Sequence, residues 1–274
     1  MKKLFHISDM HFGKIDETIV ASLLVNIKNE KPDLIIISGD LTQRATESEF
    51  TYVQAFLLEL KNLKLLYIVI PGNHDIEPLF KPLRRLANPY KNYKKFISHE
   101  LEPVYFDNEI VVGSINTSRS KNIKDGKINI KQIERMETWF SLFPNNLIKI
   151  LVTHHPIDLP LTHHAHKLVP HANVILHEFS KQKIDIYLSG HYHASSVITT
   201  SERNEIKNYS AIALQAGTLS LRERGEGRSF NILYIESLHI KIETFVWNSE
   251  EKKFISHITT QFQNIHGTWV HLKK

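Results

Sequence analysis

Along the first quarter of the chain, apolar residues alternate between short continuous runs and stretches in which they recur at helical spacing. Short, uniformly apolar runs predict buried strands at residues 4–7, 34–37 and 66–70. Between these runs, apolar side chains recur at helical spacing in residues 16–30, and again after a capping-box pattern formed by Thr46 and Glu49. This alternation of strands and helices predicts a largely parallel sheet with right-handed crossovers.

Residues 78–100 break this pattern. Pro78, Pro82 and Pro89 punctuate short helical pieces rich in Arg, Lys and Tyr, so we predict a helical, cap-like excursion over the sheet edge. Further strands are then predicted at residues 104–106, 110–116, 148–153 and 185–189, with helices around Met136 and at residues 171–183. Length and the lack of an obvious linker predict a single domain over residues 1–274.

Short β runs dominate the last third of the chain. The predicted strands of this part cover residues 196–200, 211–216, 230–235, 240–247 and 254–260. A second sheet is therefore expected. The predicted fold class is α/β, with two packed mixed β-sheets flanked by helices.

Composition narrows the chemistry that this chain can support. It contains no Cys, so disulfides and thiolate metal ligands are excluded. The net charge of +5 gives a mild positive field that attracts phosphates, and many of the 17 His lie in tight pairs, which suggests metal ligation or proton transfer. No window reaches the ~18 apolar residues of a membrane-spanning helix, and polar residues interrupt any signal core, so a cytoplasmic protein is expected.

Five polar clusters each follow directly after a predicted strand. They are Asp9-Met10-His11, Gly39-Asp40, Gly72-Asn73-His74-Asp75, His154-His155-Pro156 and Gly190-His191-Tyr192-His193. Ligands of open α/β sheets bind beyond the carboxyl ends of the strands, so we expect the five clusters to converge. Any one of them alone would be read as a turn or a loop. Together and in this order they predict a metal site.

The donor atoms of these clusters indicate which ligands the site takes. Nitrogen and oxygen donors without sulfur suit Mn, Fe, Zn, Co or Ni, whereas a Ca site would use oxygens only. Two carboxylates cannot neutralise two divalent ions, so the site keeps positive charge and favours an anionic phosphate substrate.

The five clusters make this sequence resemble the calcineurin-like metallophosphoesterases, whose motifs are D-x-H, G-D, G-N-H-D, H-x-P and G-H-x-H. The resemblance spans residues 9 to 193 and implies a four-layer αββα sandwich. The Gly39-Asp40-Leu41-Thr42 form and the chain length resemble most the bacterial branch that contains class III cyclic-nucleotide phosphodiesterases. The Ser/Thr phosphatase branch has a different G-D block, with a further Asp and Arg that do not follow Asp40 here.

The resemblance implies a role for each motif residue. One metal ion would be held by Asp9, His11, Asp40 and His193, and the other by Asp40, Asn73, His154 and His191. Asp40 would bridge the two ions, which would be Mn, Fe or Zn, divalent or of mixed valence. His74 would stay off the metals and act on the substrate, with Asp75 orienting its ring, while His155 occupies the variable position of H-x-P.

The implied activity is hydrolysis of a phosphodiester by a hydroxide that bridges the metals, with a cyclic nucleotide as the first expected substrate. The alternatives are a lipid-linked nucleotide-sugar pyrophosphate hydrolase, for which residues 78–100 could form a lid, and a broad phosphomonoesterase. A stable nucleic acid complex is not expected, because there is no extra domain or long basic stripe. A non-catalytic scaffold is also disfavoured, because no ligand residue is missing.

Several further residues could reach the substrate. Arg44, Arg119 and Arg222 follow strand ends and could grip a phosphate bidentately, although a surface role is the alternative for each. His163, His164 and His166 could line the pocket or bind adventitious metal, but a solvated loop is the favoured interpretation of that stretch.

Overall fold

A computed structural model of the chain describes residues 1–78, 80–121, 124–161, 167–222 and 227–272. Strands β1 to β13 cover Lys2–Ile7, Leu34–Ile37, Tyr67–Val69, Tyr105–Phe106, Ile110–Ile115, Ile148–Thr153, Ile186–Ser189, Ser196–Thr199, Ile212–Gln215, Ser229–Ile235, His239–Asn248, Lys253–Ile265 and Thr268–His271. Helices α1 to α6 cover Glu17–Glu30, Glu47–Asn62, Pro82–Ala87, Lys91–Phe96, Ile130–Ser141 and Ala172–Lys181.

These strands form two mixed sheets. The seven-stranded sheet has the order β13-β12-β11-β10-β1-β2-β3, with β1, β2 and β3 parallel and the later strands antiparallel. The six-stranded sheet has the order β4-β5-β6-β7-β9-β8, with β5, β6, β7 and β9 parallel between two antiparallel edge strands. Two sheets are present as predicted, but the strands of the last third do not form the second one by themselves: β8 and β9 join the sheet of β5 to β7, whereas β10 to β13 extend the sheet of β1 to β3. Strand β13 was not predicted, because its four residues carry too short an apolar pattern beyond the turn at Gly267.

The hydrophobic core separates the molecule into layers. One buried cluster draws Leu4 and Ile36 from the first sheet and Ile150 and Leu188 from the second, so the two sheets pack face to face. A second cluster joins the outer face of the first sheet to α1 and α2. A third joins the outer face of the other sheet to α5 and α6. This αββα arrangement confirms the predicted fold class.

Helices α1 and α2 begin at the capping residues that the sequence predicts. The capping box at α2 is formed: Thr46 Oγ1 accepts from Glu49 N, and a Glu49 carboxylate oxygen accepts from Thr46 N. Helix α1 is capped by Asp16, whose side chain accepts a hydrogen bond from Thr18 N. Both helices follow a strand, so these caps set where the chain turns back over the sheet.

Residues 78–100 contain the two short helices α3 and α4. Helix α4 is fixed to the first sheet, because the Tyr93 hydroxyl donates to the Val69 carbonyl over 3.0 Å, and to the loop before α2, because the Asn92 side chain donates to the Ala45 carbonyl over 2.9 Å. The single-domain organisation and the cap-like role of this segment stay predictions. None of the described helices combines the length and the apolar character that crossing a membrane requires.

Candidate metal centre

The predicted metal ligands lie in loops at the carboxyl ends of five parallel strands. Asp9 and His11 follow β1, Asp40 follows β2, Asn73 follows β3, His154 follows β6, and His191 and His193 follow β7. Five of these seven residues have positive φ angles: Asp9 at 52°, His11 at 44°, Asp40 at 52°, His191 at 80° and His193 at 63°. Non-glycine residues adopt this conformation at a cost, and such strain concentrates at functional sites.

Three of these side chains form a first buried group. The Nε2 atoms of His11 and His193 lie 3.0 Å apart, and Asp9 Oδ1 lies 3.2 Å from His193 Nε2 and 3.7 Å from His11 Nε2. Two ring nitrogens this close, on buried side chains, are the kind of donor pair that one ion would hold. Asp9 Oδ1 is buried without a hydrogen-bond partner among the described residues, as expected for an atom that faces a cation.

A second group lies on the other side of Asp40. His154 Nε2 is 3.1 Å from Asn73 Oδ1 and 3.4 Å from Asp40 Oδ2, and the same Asp40 oxygen is 3.7 Å from His11 Nε2. The His191 ring lies beside His154, with ring centroids 5.2 Å apart. Asp40 therefore lies between two groups of donors, and the residues present fit two metal ions that share one carboxylate.

Hydrogen bonds to the outer atoms of these ligands aim their inner atoms at the centre. The Nδ1 atoms of His154 and His193 donate to the carbonyls of Ser38 and Arg222, over 2.8 and 2.7 Å, which leaves each Nε2 as the atom that faces the centre. The carboxylates of Asp9 and Asp40 are oriented by backbone N–H groups. Asp9 Oδ2 accepts from His191 N, and Asp40 Oδ1 accepts from His74 N, each over 2.8 Å.

The electrostatics of the cluster favour bound cations. Burial alone would raise the pKa values of Asp9 and Asp40, but the surrounding imidazoles hold both well below the usual range. Burial acts to lower the pKa of His154, yet the Asp40 carboxylate outweighs it and raises that pKa to about 9. Both carboxylates are therefore ionised at neutral pH.

Glycines let the ligand loops approach one another. A Cβ at Gly72 would collide with the Asp40 carboxylate and backbone, and a Cβ at Gly190 would collide with Ser8 Oγ and Asp9 Oδ2. The Gly of G-N-H-D and the Gly of G-H-x-H are thus required by close packing against predicted metal ligands.

His74 and Asp75 are placed differently from the expectation that Asp75 orients the His74 ring. His74 Nδ1 lies 2.8 Å from the Gln43 carbonyl oxygen, which only accepts, so Nδ1 carries a proton and Nε2 faces the cleft. Both Asp75 oxygens instead accept from the chain around them. Their donors are Leu41 N, Thr42 N, Thr42 Oγ1 and Gly72 N. Asp75 therefore joins the loop of Asp40 to the loop of Asn73.

Replacing Asp75 with Ala is expected to destabilise the protein by about 3 kcal/mol or more, because it strands several buried donors at once. Burial and the Asp40 carboxylate raise the pKa of Asp75 to about 6, although the backbone donors around it act to lower that pKa. Urea unfolding of chelator-treated protein measures the change without a contribution from metal. Thr46→Ala, which removes one capping acceptor, should cost about 1 kcal/mol. Equal losses for the two variants would contradict the joining role of Asp75.

Only one of the three predicted phosphate-binding arginines reaches the cleft next to the cluster. Arg222 lines this cleft of about 410 Å³, and its Nη1 lies 3.2 Å from His74 Nε2. Arg119 instead donates to the Asn116 and Ser118 carbonyls and to the Gln132 side chain. Arg44 is exposed and does not line the cleft within the described part of the chain.

The cleft also contains residues that the sequence analysis did not single out. Lys124, Asp125, Lys167 and Tyr192 line it. Tyr192 lies inside the G-H-x-H motif, which could have pointed to it, whereas the two lysines carry no local signal. His163, His164 and His166 lie outside the described residues.

His155, the variable position of H-x-P, is buried beside the cluster. Its Nδ1 lies 2.7 Å from Thr117 Oγ1, and its ring centroid is 4.4 Å from that of His191. His155 therefore packs against the predicted ligand His191, and a ring nitrogen of each of His154, His155 and His191 lies within 4.8 Å of the others.

Two known proteins are similar to this chain in sequence. A component of the SbcCD nuclease of Staphylococcus epidermidis is 27% identical to this chain over 271 residues, which covers 89% of this chain and 69% of that protein. The 3',5'-cyclic adenosine monophosphate phosphodiesterase CpdA of Escherichia coli is 23% identical over 164 residues, which covers 59% of this chain and 54% of that protein.

Solved structures support the fold in the same way. The purple acid phosphatase PPD1 of yellow lupin superposes with a TM-score of 0.68 at 13% identity, covering 94% of this chain and 53% of that protein. A family profile described as calcineurin-like phosphoesterase matches residues 2–195, most of this chain. The chain therefore belongs to the calcineurin-like phosphoesterase family and is a metal-dependent hydrolase of phosphoric esters.

Proposed function

We propose that this protein hydrolyses a phosphodiester at a centre of two metal ions. The observation that carries the proposal is the position of Asp40, whose Oδ2 contacts His11 Nε2 of one donor group and His154 Nε2 of the other. Asp9, His11 and His193 would hold one ion. Asn73, His154 and His191 would hold the other, and Asp40 would bind both.

The mixed nitrogen and oxygen donors suit Mn, Fe or Zn. When bound, two such ions supply positive charge at the phosphoryl oxygens and lower the pKa of a shared water toward neutrality. The protein orients the donors before any ion arrives, because the Ser38 and Arg222 carbonyls fix the His154 and His193 rings. Electrostatic preorganisation of this kind is usually the largest single contribution to the rate enhancement of enzymes.

His74 in its doubly protonated form is the proposed proton donor to the leaving oxygen: Nε2 would give up its proton while Nδ1 keeps the one that it shares with the Gln43 carbonyl. A hydrogen bond to the phosphoryl group is the alternative. The Gln43 carbonyl holds Nδ1, so Nε2 is the atom that meets the substrate. Arg222 lies next to this atom and can exchange its contact with His74 for a phosphoryl oxygen.

A cyclic nucleotide is the proposed substrate. Support comes from the similarity to the E. coli cyclic AMP phosphodiesterase, while the Staphylococcus relative belongs to a nuclease, an enzyme class that also cleaves phosphodiesters. The Staphylococcus relative matches a larger share of this chain than the E. coli phosphodiesterase does, so single-stranded DNA is the substrate to test beside cyclic AMP.

A panel assay with added manganese tests the proposal. It compares bis-p-nitrophenyl phosphate, p-nitrophenyl phosphate, cyclic AMP, a UDP-sugar lipid and single-stranded DNA. We expect the two small diesters to be hydrolysed faster than the monoester. Faster hydrolysis of p-nitrophenyl phosphate would identify a phosphomonoesterase and overturn the proposal.

Replacing Arg222 with Gln is expected to lower kcat/KM for a phosphodiester by about 10–100-fold, since a charge-assisted bond to phosphate is lost. Metal content should not change, because His193 Nδ1 donates to the backbone carbonyl of residue 222. Arg44→Gln is the matched control, as it removes the same charge from an exposed position outside the cleft. If both variants lose activity equally, Arg222 acts through the long-range electrostatic field of the protein and not through a direct contact with the phosphate.

A further inference from the structure

The segment of residues 78–99 has an unusual charge. It contains six basic residues and no acidic residue, while the whole chain has a net charge of +5. The positive excess of the protein is therefore concentrated in this one segment, which comprises α3, α4 and their flanks. Such a field attracts a polyanionic partner.

Helix α3 is fixed to the protein by one face. Arg85 is buried on that face, where its Nε donates to the Ser120 carbonyl over 2.8 Å and its Nη1 donates to the Glu77 carbonyl over 2.6 Å. Glu77 N in turn donates to the Pro89 carbonyl, which closes the segment at its base. The orientation of α3 is thus set by specific hydrogen bonds.

Large apolar side chains of α3 and of the residues just before it are exposed to solvent. Phe80, Leu83 and Leu86 follow one another at three-residue spacing and are 70%, 83% and 58% exposed. Lys81 and Arg84 stand between them in sequence, and Lys81 Nζ lies 5.5 Å from the centre of the Phe80 ring. We call these five residues the α3 surface. Clustered apolar exposure of this kind marks an interaction site.

We propose that the α3 surface docks on an anionic lipid surface. Apolar side chains flanked by Lys and Arg match the boundary between the headgroups and the acyl chains, where the rings and methyl groups enter and the cations meet anionic headgroups. A second copy of this chain is a poorer partner, because pairing two α3 surfaces would bring Lys81 and Arg84 against the same cations.

Docking at this surface would hold the cleft close to the lipid. Glu77 and Ser120 anchor α3 through Arg85, and they lie three and four residues from the cleft residues His74 and Lys124. Within the described residues, none of the five that form the α3 surface lines the cleft. The proposal therefore does not depend on which phosphodiester is hydrolysed.

Vesicle co-sedimentation of the full chain tests the proposal. Vesicles of phosphatidylglycerol with phosphatidylcholine are compared with vesicles of phosphatidylcholine alone. We expect at least about tenfold stronger binding to the anionic vesicles, since each basic residue near the surface strengthens binding about fivefold. The double variant F80S/L83S should lose about tenfold or more of this binding. I130S/L142S is its control, because those residues are 71% and 69% exposed at the ends of α5.

A second pair of variants separates charge from apolar insertion. K81Q/R84Q should weaken binding to anionic vesicles by more than tenfold, whereas K28Q/K61Q removes two exposed cations from α1 and α2 and should weaken it less. Failure of the unmodified protein to bind anionic vesicles, or equal binding by F80S/L83S, would overturn the proposal. So would a dimer seen in analytical ultracentrifugation that F80S/L83S dissociates, because the α3 surface would then bind a second copy.

Discussion

Asp40→Asn should lower kcat/KM for any phosphodiester substrate by about 10³-fold or more, and it should lower the content of both metal ions together. The reason is geometric, since one Asp40 oxygen faces both donor groups. Asn keeps the acceptor for His74 N, so the backbone contact of the wild-type side chain survives. What is removed is the negative charge that two cations would share, and charge stabilisation is the main contribution of such a centre.

Asn73→Ala is the matched variant for this experiment, because it removes one donor from only one group. Elemental analysis of each purified variant after manganese loading reports the metal content, and initial rates on bis-p-nitrophenyl phosphate report activity. We expect Asn73→Ala to lose one ion and to retain measurable activity at high metal concentration. Loss of a single ion from Asp40→Asn would falsify the bridging role and make Asp40 a ligand of one site only.

The sequence was most informative where strand ends and polar clusters coincide. Uniformly apolar runs predicted β1, β2 and β6, and the polar residues that follow these runs lie together because the parallel strands of the two packed sheets end on the same side of the sandwich. This placement relates Asp9 to His193, which are far apart in the chain and 3.2 Å apart in space. Order along the chain was therefore enough to predict the neighbours around the centre.

Side-chain partners outside the motifs could not be predicted in the same way. The contact between His74 and the Gln43 carbonyl depends on how the loop after β2 turns, and no spacing in the sequence encodes that turn. Arg119 was expected near phosphate, but Gln132 at the start of α5 and two carbonyls satisfy its guanidinium. Partner choice for long polar side chains depends on tertiary neighbours, which periodicity does not report.

The hydrogen bond at His74 Nδ1 identifies which ring nitrogen can act on the substrate. With Nδ1 held by the Gln43 carbonyl, only Nε2 can pass a proton to a leaving oxygen. Asn at this position can still donate from its amide to that carbonyl, and His74 N still reaches Asp40 through the backbone. His74→Asn therefore removes the proton carrier while the loop that positions the metal ligands is retained.

This variant should lower kcat by about 10²–10⁴-fold on an alkyl phosphodiester and far less on bis-p-nitrophenyl phosphate. An alkoxide needs a proton to depart, whereas p-nitrophenolate is a stable anion that leaves unaided. Metal content is measured on the same samples, and we expect it to match the wild type. Arg222→Gln is the control, because a residue that grips the phosphoryl group should slow both substrates alike.

The pattern of losses distinguishes three roles for His74. A proton donor gives a large loss on the alkyl substrate only, because the demand for a proton is set by the leaving group. Equal losses on both substrates, like those of Arg222→Gln, would show that His74 stabilises the phosphoryl oxygens. Loss of metal would make residue 74 a ligand, which its position 3.2 Å from the Arg222 cation argues against. The ratio of the two kcat losses, measured at saturating metal, therefore assigns the role of Nε2.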